Sequence, residues 1–212
     1  MQKLSQEFLK TPFSHKHRIG VMGSAQGPFI VQKKNTDLAT TIGSEIAKSG
    51  NILLNGACPG LPNDAAIAAK KEGGFVMGIS PAFSRKEHID KFSSPIDSYD
   101  MILYTGQGLM YRDIANIRYS DAIIILGGGI GTLNEFTVAF DEGRYIGVLT
   151  STEGISTHIE QIIKDSNRET GGRVFFEEDP VKLVECIIHA LEHGPRVTTE
   201  DERIIDKYSF LV

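Results

Sequence analysis

Short apolar runs rich in β-branched residues alternate along this chain with segments in which apolar residues recur at helical spacing. The runs predict strands at 18–23, 52–55, 75–80, 101–105, 122–126, 146–150 and 174–177. The segments between them predict helices at 36–49, 64–72, 109–119, 132–142, 155–165 and 180–192. Residues 85–99 are polar and follow neither pattern, so we expect an irregular loop there.

The sustained alternation of strand and helix is typical of an α/β protein with a doubly wound parallel sheet. Segment 122–126 (AIIIL) is apolar at every position, which predicts a strand covered on both faces. No linker, repeat or low-complexity stretch interrupts the pattern. The sequence therefore predicts a single domain at 18–193, with an N-terminal arm at 1–17 and a C-terminal tail at 194–212.

Composition and charge limit which binding partners and which cellular compartment we expect. The net charge of -5 disfavours a nucleic acid as the main partner, because binding a phosphodiester backbone takes a basic face. The first residues lack the apolar run of a signal peptide, and no apolar stretch is long enough to cross a membrane. Cys58 and Cys186 lie far apart and form no metal-binding spacing. We therefore expect a cytoplasmic protein with free thiols, no metal and no membrane partner.

Three predicted strands end in loops rich in small residues. In a doubly wound sheet the ligand lies beyond such strand ends, where the strand order switches. The first loop begins at Gly23 and Ser24, the second contains Gly60, and the third is the GGGIGT segment at 127–132. Four glycines in five positions let the third loop approach a ligand closely, and the N–H groups of the following helix can bind an anion. The predicted phosphate contacts in this loop are Gly128, Gly129, Gly131 and Thr132.

The same loops argue against two common nucleotide sites. No Lys-Ser or Lys-Thr pair follows the glycines of the third loop, which disfavours a Walker loop and ATP hydrolysis. The early glycines Gly20, Gly23 and Gly27 lack the spacing of a dinucleotide fingerprint, and the second strand ends in Asn55 rather than an acid. NAD chemistry is therefore disfavoured, and we expect no cofactor.

Three charged residues near the third loop are candidates for chemistry. Glu135 lies three residues after Thr132, a spacing that fits a capping box. Alternatively, the carboxylate lies beside a bound ligand and acts as a base or stabilises positive charge. A carboxylate folded back onto the helix start cannot also face a substrate, so the two roles exclude each other. Arg112 and Arg118 on the preceding predicted helix can pair with phosphate or carboxylate, or remain solvated.

The segment 112–135, RDIANIRYSDAIIILGGGIGTLNE, resembles the Lonely Guy family of the wider SLOG superfamily. The hallmark of that family is PGGxGTxxE with an arginine upstream. Arg112 falls at the position of the family's catalytic arginine, and the resemblance continues more loosely over about 19–149. The positions that match the hallmark are Gly128, Gly129, Gly131, Thr132 and Glu135.

The resemblance implies a Rossmann-like homodimer that acts as a phosphoribohydrolase. Such an enzyme cleaves the N-glycosidic bond of a nucleoside 5′-monophosphate and releases free base and ribose 5-phosphate. The glycine loop would hold the phosphate, and Glu135 would stabilise the oxocarbenium-like sugar or activate water. Arg112 would orient Glu135. The resemblance implies neither a metal nor a cofactor.

The sequence also departs from the family pattern. Gly127 stands in place of the hallmark proline, Asp113 in place of a lysine and Asn116 in place of a methionine. The resemblance puts these changes near the ribose and base, so they bear on substrate and activity. The alternative is a carrier or sensor that holds a nucleotide or a molybdenum cofactor without breaking it, as other members of the superfamily do.

Overall fold

A parallel sheet lies at the centre of the protein. The computed structural model describes residues 16–166 and 173–194, and seven strands run through that part of the chain. They are ordered β4-β3-β2-β1-β5-β6-β7, and every neighbouring pair is parallel. The strands are β1 (Arg18–Gly23), β2 (Ile52–Asn55), β3 (Phe75–Ser80), β4 (Met101–Tyr104), β5 (Ala122–Leu126), β6 (Tyr145–Leu149) and β7 (Arg173–Glu177).

Helices connect the strands and cover both faces of the sheet. They are α1 (Lys33–Lys48), α2 (Leu61–Lys71), α3 (Arg85–Asp90), α4 (Gly108–Tyr119), α5 (Ile130–Asp141), α6 (Ile159–Ser166) and α7 (Pro180–His193). Short 3-10 turns lie at Pro28–Val31 and Ile155–Thr157. From β1 the order runs outward through β2 to β4 on one side and through β5 to β7 on the other. The chain therefore switches direction between β1 and β5, and the carboxyl ends of these strands form the crevice of a doubly wound fold.

The side chains of β5 divide between two hydrophobic layers. Ala122, Ile124 and Leu126 pack in the layer that contains buried residues of α1, α2 and α7. Ile123 and Ile125 pack in the layer that contains buried residues of α4, α5 and α6. All five side chains are fully buried, which confirms the prediction of a strand covered on both faces.

An ion pair fixes β1 beside β5 at the end of the sheet opposite the crevice. The Asp121 carboxylate accepts hydrogen bonds from the Arg18 backbone N–H at 2.8 Å and from Arg18 Nη2 at 2.6 Å. In the parallel register next to it, Ile19 faces Ala122. Asp121 therefore ties the start of β5 to the start of β1, and it acts far from any ligand at the carboxyl ends.

The starts of the helices differ from the predicted boundaries. Helices α1 and α2 begin three residues earlier than predicted and α5 begins two residues earlier, because their first turns form directly after the preceding loops. The prediction of a helix at 155–165 is wrong in part, since a 3-10 turn precedes the helix. The prediction of an irregular loop at 85–99 is wrong over α3. There the Ser84 hydroxyl accepts a hydrogen bond from the Glu87 backbone N–H at 3.2 Å and caps the helix.

The structure describes little of the two terminal segments predicted from sequence. Of the arm, only residues 16 and 17 fall within the described range, and of the tail only residue 194 does. The rest of both segments lies outside the described residues. Within the described ranges, no helix is both long and apolar enough to span a membrane.

Candidate functional site

A cavity of about 500 Å³ opens beyond the carboxyl ends of β1 and β5, at the switch in strand order. The first loop, the second loop and the starts of α4 and α5 line it. This volume falls within the usual range of small-molecule sites, about 300–1,000 Å³. The third glycine loop, which begins at Gly127, therefore forms one wall of the cavity.

The backbone of the third loop is held in place by hydroxyl groups from two neighbouring segments. The Gly127 N–H donates to Thr152 Oγ1 at 2.9 Å, and the Gly128 N–H donates to Ser24 Oγ at 2.8 Å. Gly128 has a φ of 91°, and a Cβ there would overlap the side chain of Thr132. Only glycine fits this position without strain. The loop is thus rigidly attached to both neighbouring strand ends.

The first turn of α5 presents unpaired backbone donors at the cavity. Gly129 is the N-cap residue and makes no side-chain cap, while the Leu133 N–H donates to the Gly129 carbonyl at 2.9 Å. The N–H groups before Leu133 have no acceptor within the helix, and the helix dipole adds partial positive charge there. Gly129, Gly131 and Thr132 all line the cavity. This end of the cavity is therefore suited to an anion.

Gly129 and Gly131 border empty space rather than protein. A Cβ at either position would meet no heavy atom within 4 Å. Packing of the protein itself therefore does not require glycine at either position. The missing side chains leave the backbone open to close approach from the cavity.

Glu135 lies inside the cavity wall and is held by Asn116. Its side chain is almost fully buried, and its Oε1 accepts a hydrogen bond from Asn116 Nδ2 at 2.9 Å. Glu135 lies more than one turn into α5, whose N-cap is Gly129. The capping-box interpretation is therefore wrong, because the helix starts before Thr132 and the carboxylate bonds to a neighbouring helix instead.

Burial controls the protonation of Glu135. Loss of water contact, reinforced by the nearby Asp113 carboxylate, raises the pKa of Glu135 to about 7. The Arg112 charge and the Asn116 hydrogen bond oppose the increase in this pKa. At neutral pH the carboxyl group therefore exists in both protonated and ionised forms, as a general acid or base requires.

Arg112 lies beside Glu135 with its guanidinium group mostly buried. Nη1 donates to the Gly56 carbonyl at 2.6 Å, and Nε lies 3.2 Å from Asp113 Oδ1. A Cβ at Gly56 would overlap the guanidinium group. Asp113 is buried and also accepts a hydrogen bond from Asn134 at 3.3 Å, and burial raises the pKa of Asp113. Arg112 is therefore anchored to protein groups on two sides.

The structure brings most of the predicted site residues together. The two predicted residues of the first loop, Gly23 and Ser24, line the cavity with residues of α4 and α5. In the second loop, Gly60 does not line it, because it packs against the backbone of Ser24 and Ala25, where a Cβ would overlap them. Gly60 therefore sets the spacing between two loops. The predicted residues that line the cavity are Gly23, Ser24, Arg112, Gly128, Gly129, Gly131, Thr132 and Glu135.

Arg118 does not reach the cavity. Its side chain is 67% exposed, and its Nε forms an ion pair with Glu142 at 2.7 Å. Six residues separate Arg118 from Arg112, and at 3.6 residues per turn this spacing places the two side chains on different faces of α4. Arg118 therefore lies outside the candidate site.

Sequence analysis did not assign a role to several residues at the site. Asp113 contacts Arg112 and Asn116 contacts Glu135, and the available signal was that both positions depart from the family pattern that Arg112 and Glu135 match. Cys58 also lines the cavity, and burial raises the pKa of its thiol. In the described part of the chain, no group of three or more His, Cys, Asp or Glu side chains is placed to hold a metal ion.

The fold and cavity define a Rossmann-like protein with a cavity and a glycine-rich helix start at its switch point. The family model described as the SLOG cluster4 family matches residues 16–184, and this chain belongs to that family. The match supports membership of the SLOG superfamily. It does not select the Lonely Guy enzymes within it.

Several known proteins are similar to this chain, and two with solved structures share its fold. An uncharacterised protein of Archaeoglobus fulgidus is 31% identical over 132 residues, which is 62% of this chain and 79% of that protein. The molybdenum cofactor binding protein of Rippkaea orientalis superposes with a TM-score of 0.65 at 26% identity, over 82% of this chain and 99% of that one. The molybdenum cofactor carrier protein of Chlamydomonas reinhardtii has a TM-score of 0.65 at 25% identity, over 84% and 99%. These similarities confirm the predicted single-domain α/β fold.

Proposed function

We propose that the cavity binds a nucleotide through a terminal phosphate seated on the first turn of α5. The observation that carries the proposal is the open backbone at Gly129 and Gly131, where a Cβ would meet nothing and N–H groups lack helical acceptors. A tetrahedral anion satisfies several such donors at once and is favoured by the helix dipole. The Thr132 hydroxyl lies at the same wall and adds a further donor.

The rest of the cavity suits the sugar and the base. Leu109 and Met110 from α4 and Phe29 from the first 3-10 turn supply apolar surface. A flat heteroaromatic ring buries apolar area against such side chains, and phosphate and base would then lie at opposite ends of the cavity. Glu135 would lie between the two ends, near the bond that joins sugar to base.

One reaction that fits this arrangement is hydrolysis of the N-glycosidic bond of a nucleoside 5′-monophosphate. Water adds to the anomeric carbon, the bond to the base breaks, and its electron pair passes to the base nitrogen. Protonated Glu135 donates a proton to that nitrogen, and its carboxylate then accepts a proton from the attacking water. The products are free base and ribose 5-phosphate. The pKa of Glu135, near 7, supports this role because both forms are present at neutral pH.

The second candidate is a carrier or sensor that holds its ligand intact. It is favoured by the molybdenum cofactor proteins with the same fold and about a quarter of residues identical. It is also favoured by the contact of Arg112 with Gly56, because the Nη1 donor is bonded to the Gly56 carbonyl and is not free for a reacting ligand. Binding without turnover would be the expected behaviour.

Incubation with a panel of nucleoside 5′-monophosphates separates the two candidates. Free base is followed by chromatography, and binding is followed by calorimetry with the same nucleotides. We expect Glu135→Gln to abolish base release while nucleotide affinity stays within about threefold, because the phosphate contacts lie elsewhere. Glu142→Gln is the matched control, since it makes the same change directly after the end of α5, at a residue paired with Arg118.

Each outcome assigns one function. Base release that is lost in Glu135→Gln and kept in Glu142→Gln establishes the hydrolase. Saturable binding with no release from any nucleotide establishes the carrier or sensor. If no nucleotide and no inorganic phosphate binds, the proposed phosphate site on α5 is wrong. We also expect the protein to act in the cytoplasm as a homodimer, without a nucleic-acid partner.

A further inference from the structure

A buried polar pair connects α4 and α5 directly behind the cavity. Asn116 is fully buried and Glu135 nearly so, and one hydrogen bond of 2.9 Å joins Asn116 Nδ2 to Glu135 Oε1. Burial of an amide costs free energy unless its polar atoms find partners. The other neighbour of Nδ2 is Met22 Sδ at 3.9 Å, which is a weak acceptor. The hydrogen bond to Glu135 is therefore the main interaction of this amide.

The second polar atom of Asn116 lacks a partner. Asn116 Oδ1 is buried and accepts no hydrogen bond from any described residue. An amide carries donors on one side and an acceptor on the other, so rotation of the amide group exchanges them. It can donate to an ionised carboxylate or accept from the O–H of a protonated carboxyl group. Asn116 can therefore pair with Glu135 in either protonation state.

The two carboxyl oxygens of Glu135 have different surroundings. Oε1 is bonded to Asn116, whereas Oε2 accepts no hydrogen bond from the described residues, and the side chain lines the cavity. Rotation of the carboxyl group away from the cavity would break the bond to Asn116. One oxygen is thus fixed in the helix interface while the other remains accessible to a ligand.

We propose that Asn116 is a positioning residue that holds one oxygen of Glu135 in both protonation states and leaves the other to exchange a proton with the ligand. The inference deepens the proposed function and rests on it only for the identity of the ligand atom involved. The geometry assigns the role to Asn116 because the amide is buried, is bonded to Glu135 and keeps an unused acceptor next to it.

Charged and titratable groups from two elements, α4 and the second loop, face Glu135. Arg112 and Asp113 approach from α4, and Cys58 approaches from the second loop. Burial and Asp113 raise the pKa of Glu135, and the hydrogen bond from Asn116 lowers it by stabilising the ionised form. The hydrogen bond that the amide donates to an ionised carboxylate is charge-assisted and stronger than the one it accepts from a neutral carboxyl group, so loss of the amide should move the titration of Glu135 to higher pH.

The titration can be followed without any ligand. Carbon-13 NMR of protein labelled at the glutamate carboxyl carbon reports each titration, and Glu135→Gln identifies the resonance of Glu135. We expect Asn116→Leu to raise the midpoint by about one pH unit, because a hydrogen bond to a charged group is lost. Asn116→Ser, whose hydroxyl can both donate and accept, should restore part of the difference and covers the case in which the leucine variant does not fold.

Asn51→Leu is the matched control for the loss of a buried asparagine. Asn51 lies beside β2 at the far end of the sheet, where its Oδ1 accepts from the His17 N–H at 3.0 Å. We expect it to change stability but not the Glu135 midpoint. An unchanged midpoint in Asn116→Leu, or an equal change in Asn51→Leu, would overturn the proposal.

A second measurement separates this inference from the proposed function. The heat of AMP binding, measured in two buffers of different ionisation enthalpy, gives the number of protons exchanged on binding. We expect wild type and Asn116→Leu to exchange protons over different pH ranges. Glu135→Gln should lose the proton exchange that comes from Glu135. If the NMR midpoint changes as expected but AMP does not bind, the role of Asn116 stands and the choice of ligand fails.

Discussion

Glu135 is placed where its proposed function conflicts with the stability of the protein. An acidic side chain this deeply buried loses most of its contact with water, and folding then favours its neutral form. The neighbouring carboxyl group of Asp113 adds to the cost of ionisation. A core residue chosen for stability alone would be apolar here. We therefore expect this position to lower the stability of the protein at alkaline pH.

Replacement of Glu135 by glutamine should remove this dependence on pH. The pKa of Glu135 rises from 4.5 to about 7 on folding, so the folded state binds the proton more tightly. The stabilisation of the folded state by this proton is complete below about pH 4.5 and is lost as the pH rises through about 7. As the pH is raised from about 5 to about 8, we expect the free energy of unfolding of Glu135→Gln to increase by about 2–3 kcal/mol relative to that of wild type.

Urea denaturation of both proteins at the two pH values measures this difference. The comparison with Glu135→Gln isolates one carboxyl group, because all other titrating groups are shared. Free energies of unfolding that change in parallel with pH would show that Glu135 is not buried as an acid. The related change Glu142→Gln removes an exposed ion pair. Its free energy of unfolding should lie within about 0.5 kcal/mol of the wild-type value at both pH values.

Sequence analysis at this scale found the two main candidates but not their partners. Arg112 and Glu135 were predicted from the motif that they share with a known family. Their contacts with Asp113 and Asn116 depend on how α4 packs against α5, and no spacing along the chain specifies that packing. A similar limit applies to Arg118, whose helical face decides that it pairs with Glu142.

The proposed anion site lies at the start of α5, and glycine has two different surroundings in the helices of this protein. In α5, Gly131 borders the open cavity. In α1, Gly43 lies against the backbone of Ala65, and a Cβ there would overlap it. The first glycine leaves space for a ligand, whereas the second allows α1 and α2 to pack closely.

The same substitution should therefore have opposite effects in the two helices. We expect Gly131→Ala to raise the free energy of unfolding by up to about 1 kcal/mol, because alanine favours the helix and meets no atom. It should weaken AMP binding at least about tenfold, since the methyl group occupies the space of the phosphate. We expect Gly43→Ala to lower the free energy of unfolding by about 1–3 kcal/mol through overpacking.

Calorimetry with AMP and urea denaturation of both variants provide the measurements. Gly43→Ala should bind AMP with nearly the affinity of wild type once it is folded, because Gly43 lies outside the cavity. A loss of stability in Gly131→Ala without loss of binding would show that α5 does not hold the phosphate.

The boundaries of elements were predicted less well than their order. The capping motif Thr-x-x-Glu predicted a start for α5 at Thr132, but the loop glycines let the helix begin at Ile130. Helix α3 was missed because its six residues are too few to show a helical period, although Ser84 and Glu87 carry a capping signal.

At the scale of the whole molecule, a group of apolar side chains is exposed beside the cavity. Leu109, Met110 and Tyr111 at the start of α4 are each more than half exposed, and Ile130 at the start of α5 is 82% exposed. Adjacent exposed apolar groups often mark a surface that another molecule covers. The resemblance described above implies a homodimer, and a second copy would remove this area from water.

We expect sedimentation equilibrium to give a mass of twice the 23.2 kDa of the chain. Tyr111→Glu should weaken the dimer, because it places a charge in the apolar surface without changing the cavity lining. Lys33→Glu, at an exposed side chain of α1, is the control for an added negative charge. A monomeric wild type would contradict the homodimer that the resemblance implies.

The sequence by itself determined the fold class and the strand end at which a ligand would lie. Alternating strand and helix patterns lead to a doubly wound sheet because parallel strands need crossover connections. The apolar run of β5 determined its burial, and the glycines of the third loop determined where the proposed anion site would lie, since both properties are local in the chain.

Only the tertiary structure decided which side chains meet at the site. Arg112, Asp113 and Asn116 come from one helix and Glu135 from another, and the distances between them depend on the packing of α4 against α5. The pKa of Glu135 follows from the same packing, because burial excludes water from the carboxyl group. Such properties arise from the exclusion of solvent by residues distant in sequence, and for that reason no local pattern could predict them.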